Sequence, residues 1–334
     1  MSTAQLTPEL LAQPARRAAR VIARALLDDV RAAHARLGAP DAEALHDLRV
    51  ALRRLRTWLR ACRPVLDDTV GRKSRRAFRT LAHATNAARD AEVALAWLQA
   101  QAGLPPAAGA GHAHLVERLR GECVESAGAA ATYLAKRLPR ATERLADELD
   151  RYWREIAVDD PEPEPPMAAF MAGLLRRQRA RLARALRRVG SAEDVAPAHR
   201  ARIAGKQLRY VLEPLDADPR VAELVERLKV LQDGLGEFHD AQLLAERILS
   251  EVEQIAGAIA HRRAVALVEP ELAPRSARPS RRGLRTGLLE VARRAHLHGD
   301  EAFTQFRRDW SKRQAAQALR LIDELANDLA PSGE

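Results

Sequence analysis

The chain has 334 residues, 47% of them hydrophobic and only 4% aromatic, with a formal net charge of +10 and an isoelectric point near 10.4. This length allows one large domain or two medium ones. No stretch approaches the ~20 apolar residues of a membrane span, and two isolated cysteines, Cys62 and Cys123, exclude a disulfide framework. Ala, Leu and Arg dominate over β-branched residues, which favours helices, and the basic excess favours an anionic partner.

The N-terminal segment and the cysteines bear on location. Residues 1–20 contain no apolar core of the kind that a signal peptide needs. Isolated cysteines are typical of a reducing compartment. We therefore expect a soluble, cytoplasmic protein that is not a membrane partner.

Helical periodicity runs along the whole chain. The first half is predicted to form helices at 14–37, 41–63 with Asp41 as N-cap, 69–101 with a break near 84–88, 114–138 and 139–156, with a loop at 103–111. The acidic, proline-rich segment 158–166 is incompatible with a helix and is the best internal boundary. The second half is predicted to form helices at 167–189, 197–215, 219–268, 281–298 and 300–327, with a basic loop at 270–280.

A basic motif occurs twice. One copy begins at His46 and reads HDLRVALRRLR, and the other begins at His199 and reads HRARIAGKQLR. On an α-helix the offsets 0, 3, 7 and 10 lie within an arc of about 80°, so each copy places one histidine and three cations along one side. We name these the His46 row, which is His46, Arg49, Arg53 and Arg56, and the His199 row, which is His199, Arg202, Lys206 and Arg209.

The two halves of the chain match beyond these rows. The tetrapeptide ARAL occurs at 23–26 and at 183–186, before each row. After each row, Arg79 and Lys229 each lie 11 residues before an aspartate, Asp90 or Asp240. Four landmarks in the same order predict a tandem duplication, with a first helical repeat at 1–157, the linker at 158–166 and a second repeat at 167–334.

Neighbouring helices are predicted to carry further basic rows. Arg60 extends the His46 row, and the other cations are Arg17, Arg20, Arg24, Arg72, Arg76 and Arg79 in the first half and Arg177, Arg181, Arg184 and Lys229 in the second. Like charges at i,i+3 and i,i+4 repel by a few tenths of a kcal/mol per pair, and residues 48–65 include no carboxylate. We interpret the rows as an anion-binding site. The alternative is an ordinary basic helix face exposed to solvent.

No catalytic residue, metal site or cofactor is predicted. A general base needs an orienting carboxylate, and Asp47 points about 100° away from the His46 row. The pairs His112–His114 and His296–His298 have i,i+2 spacing, which does not place two ligands on one helical face. Asp90 and Asp240 are expected in salt bridges that pack helices.

These motifs resemble the CHAD family, the conserved histidine α-helical domain. Its hallmarks are H-x-x-R-V-x-x-R-R-x-R, a downstream R-D-x-[DE]-V, H-x-x-R-I-x-x-K-x-L-R-Y-x-x-E and L-Q-x-x-L-G-x-x-x-D-A. The chain carries them at 46–56, 89–93, 199–213 and 231–241. The resemblance implies an all-α fold: a tandem pair of antiparallel four-helix bundles with pseudo-two-fold symmetry. It also implies a central basic channel that binds inorganic polyphosphate, on polyphosphate granules.

When the family's ligand positions are transferred to this sequence, the resemblance implies that the His46 and His199 rows bind phosphate and that the neighbouring rows support them. Two departures matter. Gly205 lies inside the second basic helix and costs about 1 kcal/mol relative to Ala, so that helix is expected to be looser. Many relatives carry a triphosphate-tunnel domain with Glu-x-Glu-x-Lys, which this sequence lacks, so triphosphatase activity is not expected.

Three functions are compatible with a doubled basic face. The leading hypothesis is non-catalytic binding of inorganic polyphosphate, with granule-associated proteins as further candidate partners. The alternative is RNA binding, for which stacking residues are few: the four tryptophans, Trp58, Trp97, Trp153 and Trp310, do not cluster on the predicted basic faces. A polyphosphate-processing enzyme is the third hypothesis, and it lacks the acidic metal cluster that phosphoryl transfer usually uses.

Overall fold

A computed structural model describes residues 4–38, 43–156, 164–268 and 281–330. Within these ranges the chain is helical, with short 3₁₀ and π turns and no β-strand, which confirms the predicted all-α class. The helices are α1 (Pro8–Ala12), α2 (Ala15–Ala35), α3 (Ala44–Ala61), α4 (Arg63–Leu66), α5 (Arg72–Ala84), α6 (Asn86–Gln99), α7 (Gly109–Arg151), α8 (Met167–Leu186), α9 (Val195–Leu212), α10 (Pro219–Val268), α11 (Arg281–Asp309) and α12 (Lys312–Asp328).

The predicted break in the third helix is confirmed at Thr85. The Thr85 hydroxyl donates to the Ala82 carbonyl at 2.9 Å, and its N–H bonds to the His83 carbonyl as α5 ends. Ser, Thr, Asp and Asn offer the backbone such local alternatives to the helical ladder. The chain resumes as α6 at Asn86.

Two predicted helix boundaries are wrong. Helix α7 runs through Pro139 without ending, and the Thr142 hydroxyl donates to the Pro139 carbonyl at 2.8 Å. Helix α11 continues through Gly299 and ends only before Ser311, whose side chain forms a capping box with Gln314. Proline and glycine weaken a helix locally, but packing of an amphipathic face outweighs that cost. The Asp41 cap and the loop at 270–280 lie outside the described residues.

The helices belong to two compact units. Unit 1 comprises Met1–Ala87, Ser126–Asp233 and Arg307–Glu334, and unit 2 comprises Ala88–Glu125 and Gly234–Phe306. Each unit therefore takes residues from both sides of the 158–166 linker. The repeat boundaries and the bundle arrangement stay predictions.

In unit 1 the two sequence halves use the same pairings. Helix α2 packs on α3, and α8 packs on α9. Helix α3 also contacts α5 and α9, α2 contacts α8, and α12 contacts α8. The expected apolar stripes are buried: Leu48, Leu52, Leu55 and Leu59 on α3, and Leu208, Val211, Leu212 and Leu215 at α9. Full burial of each such side chain contributes about 1.5–3 kcal/mol, and it leaves the basic side of α3 out of the core.

The downstream end of the linker is fixed in unit 1. Pro14 and Pro166 form an isolated antiparallel bridge. The Met167 N–H donates to the Gln13 carbonyl at 2.8 Å, and the Ala15 N–H donates to the Pro165 carbonyl at 3.1 Å. Glu164 adds an ion pair with Arg16 at 3.0 Å. The starts of α2 and α8 are therefore held side by side; residues 157–163 lie outside the described residues.

Unit 2 has its own core. It is built from small and aliphatic side chains of α6, α7, α10 and α11, with Leu98, Ile248, Leu288 and Val291 fully buried. A Cβ at Gly111 would stand only 2.2 Å from the Gly287 carbonyl carbon. Helices α7 and α11 thus cross at a pair of glycines, because any side chain there would collide with backbone.

Within the described ranges, none of the helices combines the length and the apolar character needed to traverse a bilayer.

Candidate functional site

The His46 row lies along α3 with graded exposure. His46 is exposed, Arg49 is only 8% exposed, and Arg53 and Arg56 are half-buried. Arg60, one turn further, is exposed. The leucines of α3 occupy the core, and the arginines of the row lie about 100° around the helix from them, so the row borders the buried side rather than facing away from it.

The His199 row lies along α9 and is half-buried at all four positions. Helix α9 is continuous across Gly205. A Cβ at Gly205 would stand 2.7 Å from Cδ2 of Leu231 on α10. The structure therefore gives Gly205 a packing role, in contrast to the expected looser helix: its missing side chain lets α10 approach α9.

The two rows meet at Tyr210. Arg53 Nη1 donates to the Tyr210 hydroxyl at 3.4 Å, and Arg209 Nη2 donates to the same oxygen at 3.2 Å. The Arg209 guanidinium also lies over the Tyr210 ring, 5.0 Å from its centroid. One phenol thus holds one cation from each row, where α3 packs on α9.

A carboxylate reinforces this contact. Glu213 accepts from Arg54 Nε at 2.7 Å and lies 3.9 Å from Arg209 Nε. Burial raises the pKa of Glu213 above its usual value, against the opposing pull of Arg54 and Arg209. Arg54 is thereby neutralised, whereas Arg53, one residue earlier, bonds only the neutral phenol among the partners described.

A basic pocket of about 570 Å³ lies between α3 and α5. We name it the α3–α5 pocket. Its lining is Arg56, Leu59, Arg60, Arg63, Arg72, Arg75, Arg76, Phe78, Arg79 and His83. Seven arginines and one histidine therefore surround this cavity, and no carboxylate is among its lining residues.

Like charges crowd around this pocket. The pKa of Arg56 is lowered by burial and then by the neighbouring cations Arg53 and Arg79. The pKa of Arg60 is lowered by burial and by Arg181 and Arg56. Cationic side chains of α3, α5 and α8 therefore converge, and each raises the electrostatic cost of the others.

Most of these cations have no counter-charge. Among the described residues, no carboxylate pairs with any of eight arginines, namely Arg56, Arg60, Arg72, Arg76, Arg79, Arg177, Arg181 and Arg184. Two arginines that line the same pocket are paired, since Arg63 and Arg75 both contact Asp67. The unpaired set thus combines predicted positions on α3, α5 and α8.

Arg20 has a structural role. It is 1% exposed, and it forms an ion pair with Asp68. Its guanidinium also donates to the Val65 carbonyl at 3.0 Å and to the Thr69 hydroxyl at 2.9 Å, and it lies over the Tyr152 ring. A guanidinium that is 1% exposed and bound to these partners is not available to a ligand, so Arg20 does not belong to the site.

The other predicted cations of α2, and Lys229, also have partners. Arg24 binds Asp150 at 3.1 Å, and Arg17 lies over the Trp153 ring, 5.2 Å from its centroid. That stacking contact is an exception to the expected separation of tryptophans from the basic faces. Lys229 pairs with Glu226 on its own helix.

The histidines show no arrangement that would hold a metal ion. Asp47, the carboxylate next to His46 in the sequence, pairs with Arg36. His112 bonds the Leu98 carbonyl at 2.9 Å, His114 bonds Glu251 at 2.7 Å, and His298 lies 3.2 Å from Glu237. No group of three or more His, Cys, Asp or Glu side chains in the described part of the chain is placed to hold a metal ion.

Sequence reasoning missed three participants. Arg63 and His83 line the pocket, and Tyr210 joins the two rows. The pocket residues follow the helical spacing of the predicted rows on α3 and α5, so a full helical projection of both helices would have found them. Nothing local signals that Tyr210 contacts Arg53, 157 residues away.

The fold and the site define an all-α protein with a basic surface built from two matching rows, and the comparisons with known proteins specify its family. The family model of the CHAD domain matches residues 14–249. The chain belongs to the CHAD family. Comparison with curated protein sequences gives no significant match.

Two solved structures share the fold. The CHAD domain from the plant Ricinus communis is 24% identical, with a TM-score of 0.63, covering 85% of this chain and 95% of that one. PptA from Streptomyces chartreusis is 18% identical, with a TM-score of 0.59, covering 89% of this chain and all of that one (100%). At these identities the likeness concerns the fold.

Proposed function

We propose that the basic surface of unit 1 binds inorganic polyphosphate and does so without catalysis. The observation that carries this proposal is the set of eight arginines on α3, α5 and α8 without a carboxylate partner among the described residues. Partly desolvated like charges destabilise a fold unless an anion compensates them. A polymer with a negative charge on every phosphate supplies that compensation along several helices at once.

The arrangement of the cations supports a linear, repeating ligand. Side chains at i,i+3 and i,i+4 recur about 5–6 Å apart on a helix. The His46 row continues through Arg60 toward Arg181 of α8, while Tyr210 links it to the His199 row. Arginine offers bidentate hydrogen bonds to phosphate oxygens at each step.

A binding role without chemistry is supported by the composition of the pocket. Phosphoryl transfer uses carboxylates to hold metal ions or to activate a nucleophile. The lining of the α3–α5 pocket is cationic and apolar, and Glu213, the carboxylate at the seam of the two rows, is engaged by Arg54. We further propose that the protein acts in the cytoplasm, on polyphosphate granules.

Titration with long-chain polyphosphate at low and at physiological salt tests the proposal. The double variant Arg56→Gln/Arg60→Gln should bind more than about tenfold more weakly, since each charged hydrogen bond contributes about 1.5–3 kcal/mol. Arg320→Gln is the matched control, because Arg320 is an exposed α12 arginine paired with Glu324. Failure of the wild-type protein to bind at low salt contradicts the proposal.

Competition between polyphosphate and RNA shows which of the two is the preferred ligand. At matched phosphate concentration, polyphosphate should displace bound RNA, because few aromatic side chains are available to stack bases. If polyphosphate fails to displace RNA, nucleic acid is the better ligand.

A further inference from the structure

We propose that the α3–α5 pocket is an end site: it binds the terminal phosphates of a polyphosphate chain, or a free short chain such as tripolyphosphate. This inference rests on the proposed function and specifies which part of the ligand is held where. A long chain would be anchored by its end in this pocket and continue along the remaining rows.

The pocket concentrates charge differently from the rows. Five arginines that pair with no carboxylate in the described part of the chain line one cavity of about 570 Å³, namely Arg56, Arg60, Arg72, Arg76 and Arg79. A row on a single helix instead presents one cation per turn. The cavity therefore suits a compact anion with several charges better than it suits one segment of an extended chain.

Chain ends have this property. A terminal phosphate resembles a phosphomonoester, which carries about −1.5 to −2 charge near pH 7, whereas an interior phosphate carries a single negative charge. The last phosphates of a chain and a free tripolyphosphate share this chemistry. Both should therefore be preferred over an interior segment at a site with five uncompensated cations.

The start of α5 gives a second, independent indication. The first turn of α5 contains Arg72 and Lys73 and no acidic residue of its own, and the Gly71 N–H at its N-cap donates to Glu148 at 3.3 Å. Cations at a helix N-terminus oppose the macrodipole, and anions are favoured there. Since Arg72, Arg75 and Arg76 all line the pocket, an anion bound in it would add to Glu148 in offsetting these cations.

Asp67 acts as a positioning residue at the rim. Its carboxylate accepts from Arg63 Nε at 2.9 Å and also pairs with Arg75. Hydrogen bonding from Arg63, with further stabilisation by Arg75, holds the pKa of Asp67 below its usual value. The two guanidinium groups are thereby fixed before any ligand arrives, which reduces the ordering cost of binding.

Calorimetric titration with two small ligands tests the site directly. Tripolyphosphate has two chain ends, and cyclic trimetaphosphate has the same number of phosphates and none. We expect tripolyphosphate to bind the wild-type protein at least about tenfold more tightly, because only it offers multiply charged terminal groups to the arginines. Equal affinity for the two ligands overturns the end site.

Variants locate the binding. Arg76→Gln and Arg79→Gln should each weaken tripolyphosphate binding by about tenfold or more. Arg320→Gln is the control, because Arg320 is an exposed arginine of α12 that does not line the pocket. Both pocket arginines are exposed, so the variants should fold normally; equal losses in Arg320→Gln and in the pocket variants contradict the assignment.

Long chains with chemically capped ends distinguish binding through a chain end from binding through interior phosphates. Phosphoramidate capping removes the second charge of each terminal phosphate, so that it carries one negative charge like an interior phosphate, and it leaves the interior phosphates unchanged. Capped chains should bind more weakly than uncapped chains and should lose their sensitivity to Arg76→Gln. If uncapped long chains bind but capped chains bind equally well, the end site is wrong while the proposed function stands; if uncapped chains do not bind at all, the proposed function fails.

Discussion

Carboxylate pairing divides the arginines of unit 1 into two sets. Arg20, Arg24 and Arg54 are held by Asp68, Asp150 and Glu213, and they join helices. The unpaired arginines of α3, α5 and α8 have no such structural partner among the described residues. The two sets cannot be told apart by their spacing along a helix, because the carboxylates that bind Arg20, Arg24 and Arg54 lie 48, 126 and 159 residues away from them in the sequence. The sequence therefore predicted the basic rows but not which members were free.

Arg20→Met tests the structural set. Breaking a buried ion pair by removing one partner costs about 3–5 kcal/mol, and Arg20 also bonds Val65 and Thr69. We expect urea denaturation to show a loss of about 3 kcal/mol, with the polyphosphate affinity of the folded variant unchanged.

Arg16→Met is the control for Arg20→Met, because Arg16 forms a more exposed pair with Glu164 and should lose no more than about 1 kcal/mol. A selective loss of affinity in Arg20→Met, without a loss of stability, would return Arg20 to the ligand set.

Tyr210→Phe tests the junction of the two rows. The substitution keeps the buried ring but removes the oxygen that accepts from Arg53 and Arg209. The donors are charged, but both bonds are long, at 3.4 and 3.2 Å, so we assign each the net contribution of an ordinary hydrogen bond, about 0.5–1.5 kcal/mol, and expect a loss of polyphosphate affinity of about threefold. The thermal unfolding midpoint should change little, and an unchanged affinity would show that the phenol does not order the two guanidinium groups.

At the scale of helices, periodicity identified nearly every element. Apolar spacing predicted α2, α3, α8 and α9 within a few residues, and the break at Thr85 was anticipated. The errors at Pro139 and Gly299 have one cause: local propensity costs about 1–3 kcal/mol at most, and packing along a long helix exceeds it. Such packing involves residues far away in the chain, which a local pattern does not contain.

Gly205→Ala separates propensity from packing. Alanine improves helix propensity by about 1 kcal/mol, yet its Cβ would stand 2.7 Å from Cδ2 of Leu231, which is fully buried. Overpacking costs about 1–3 kcal/mol, so we expect a net destabilisation of about 1 kcal/mol in chemical denaturation. Gly257→Ala, with open space at its Cβ on α10, should be stabilising and serves as the control.

At the scale of the whole molecule, the duplication in the sequence and the compact units divide the chain differently. The repeats were predicted to meet at 158–166, whereas unit 1 and unit 2 each draw on both sides of that segment. Helices α6, α7, α10 and α11 each contribute residues to both units. A repeat pattern records similarity along the chain, and it does not specify which segments pack together.

Unit 2 should be acid-sensitive through a charged network between α7 and α10. Burial raises the pKa of Glu251, but hydrogen bonds from Arg118 and His114 outweigh it, so the net pKa lies below the usual value of 4.5. Burial also raises the pKa of Glu122, but Arg247 and Arg118 outweigh it, so this pKa too lies below its usual value. A lowered carboxylate pKa contributes stability above pH 4.5 that is lost as the pH falls through the folded-state pKa.

Hydrogen exchange of 109–125 and 244–255 at pH 7 and near pH 4 measures this effect. Protection in these segments should fall at the lower pH, after correction for intrinsic exchange rates. In Glu251→Gln the protection should be lower at pH 7 and should depend less on pH. A pH dependence identical to that of the wild type would contradict a role for this carboxylate.

Salt dependence reports on the whole basic surface. Counterion release makes log K fall linearly with log salt, with a slope proportional to the number of phosphates neutralised. Each removed arginine contact, as in Arg181→Gln, should reduce the slope for long-chain polyphosphate by roughly 1. Arg320→Gln, on α12, should leave the slope nearly unchanged, and identical reductions in both variants would indicate only a general effect of net charge.

The bridge between Pro14 and Pro166 has a consequence for how the polypeptide can be divided. Since it fixes the chain on the downstream side of residues 157–163, and α2 contacts α8 while α3 contacts α9, covalent continuity at that point is not needed to hold the helices in register. Two separately expressed fragments, 1–160 and 161–334, should assemble into a heterodimer that co-purifies through a tag on either one. Their complementation would make the protein a split reporter whose reassembly depends on contacts that both fragments contribute.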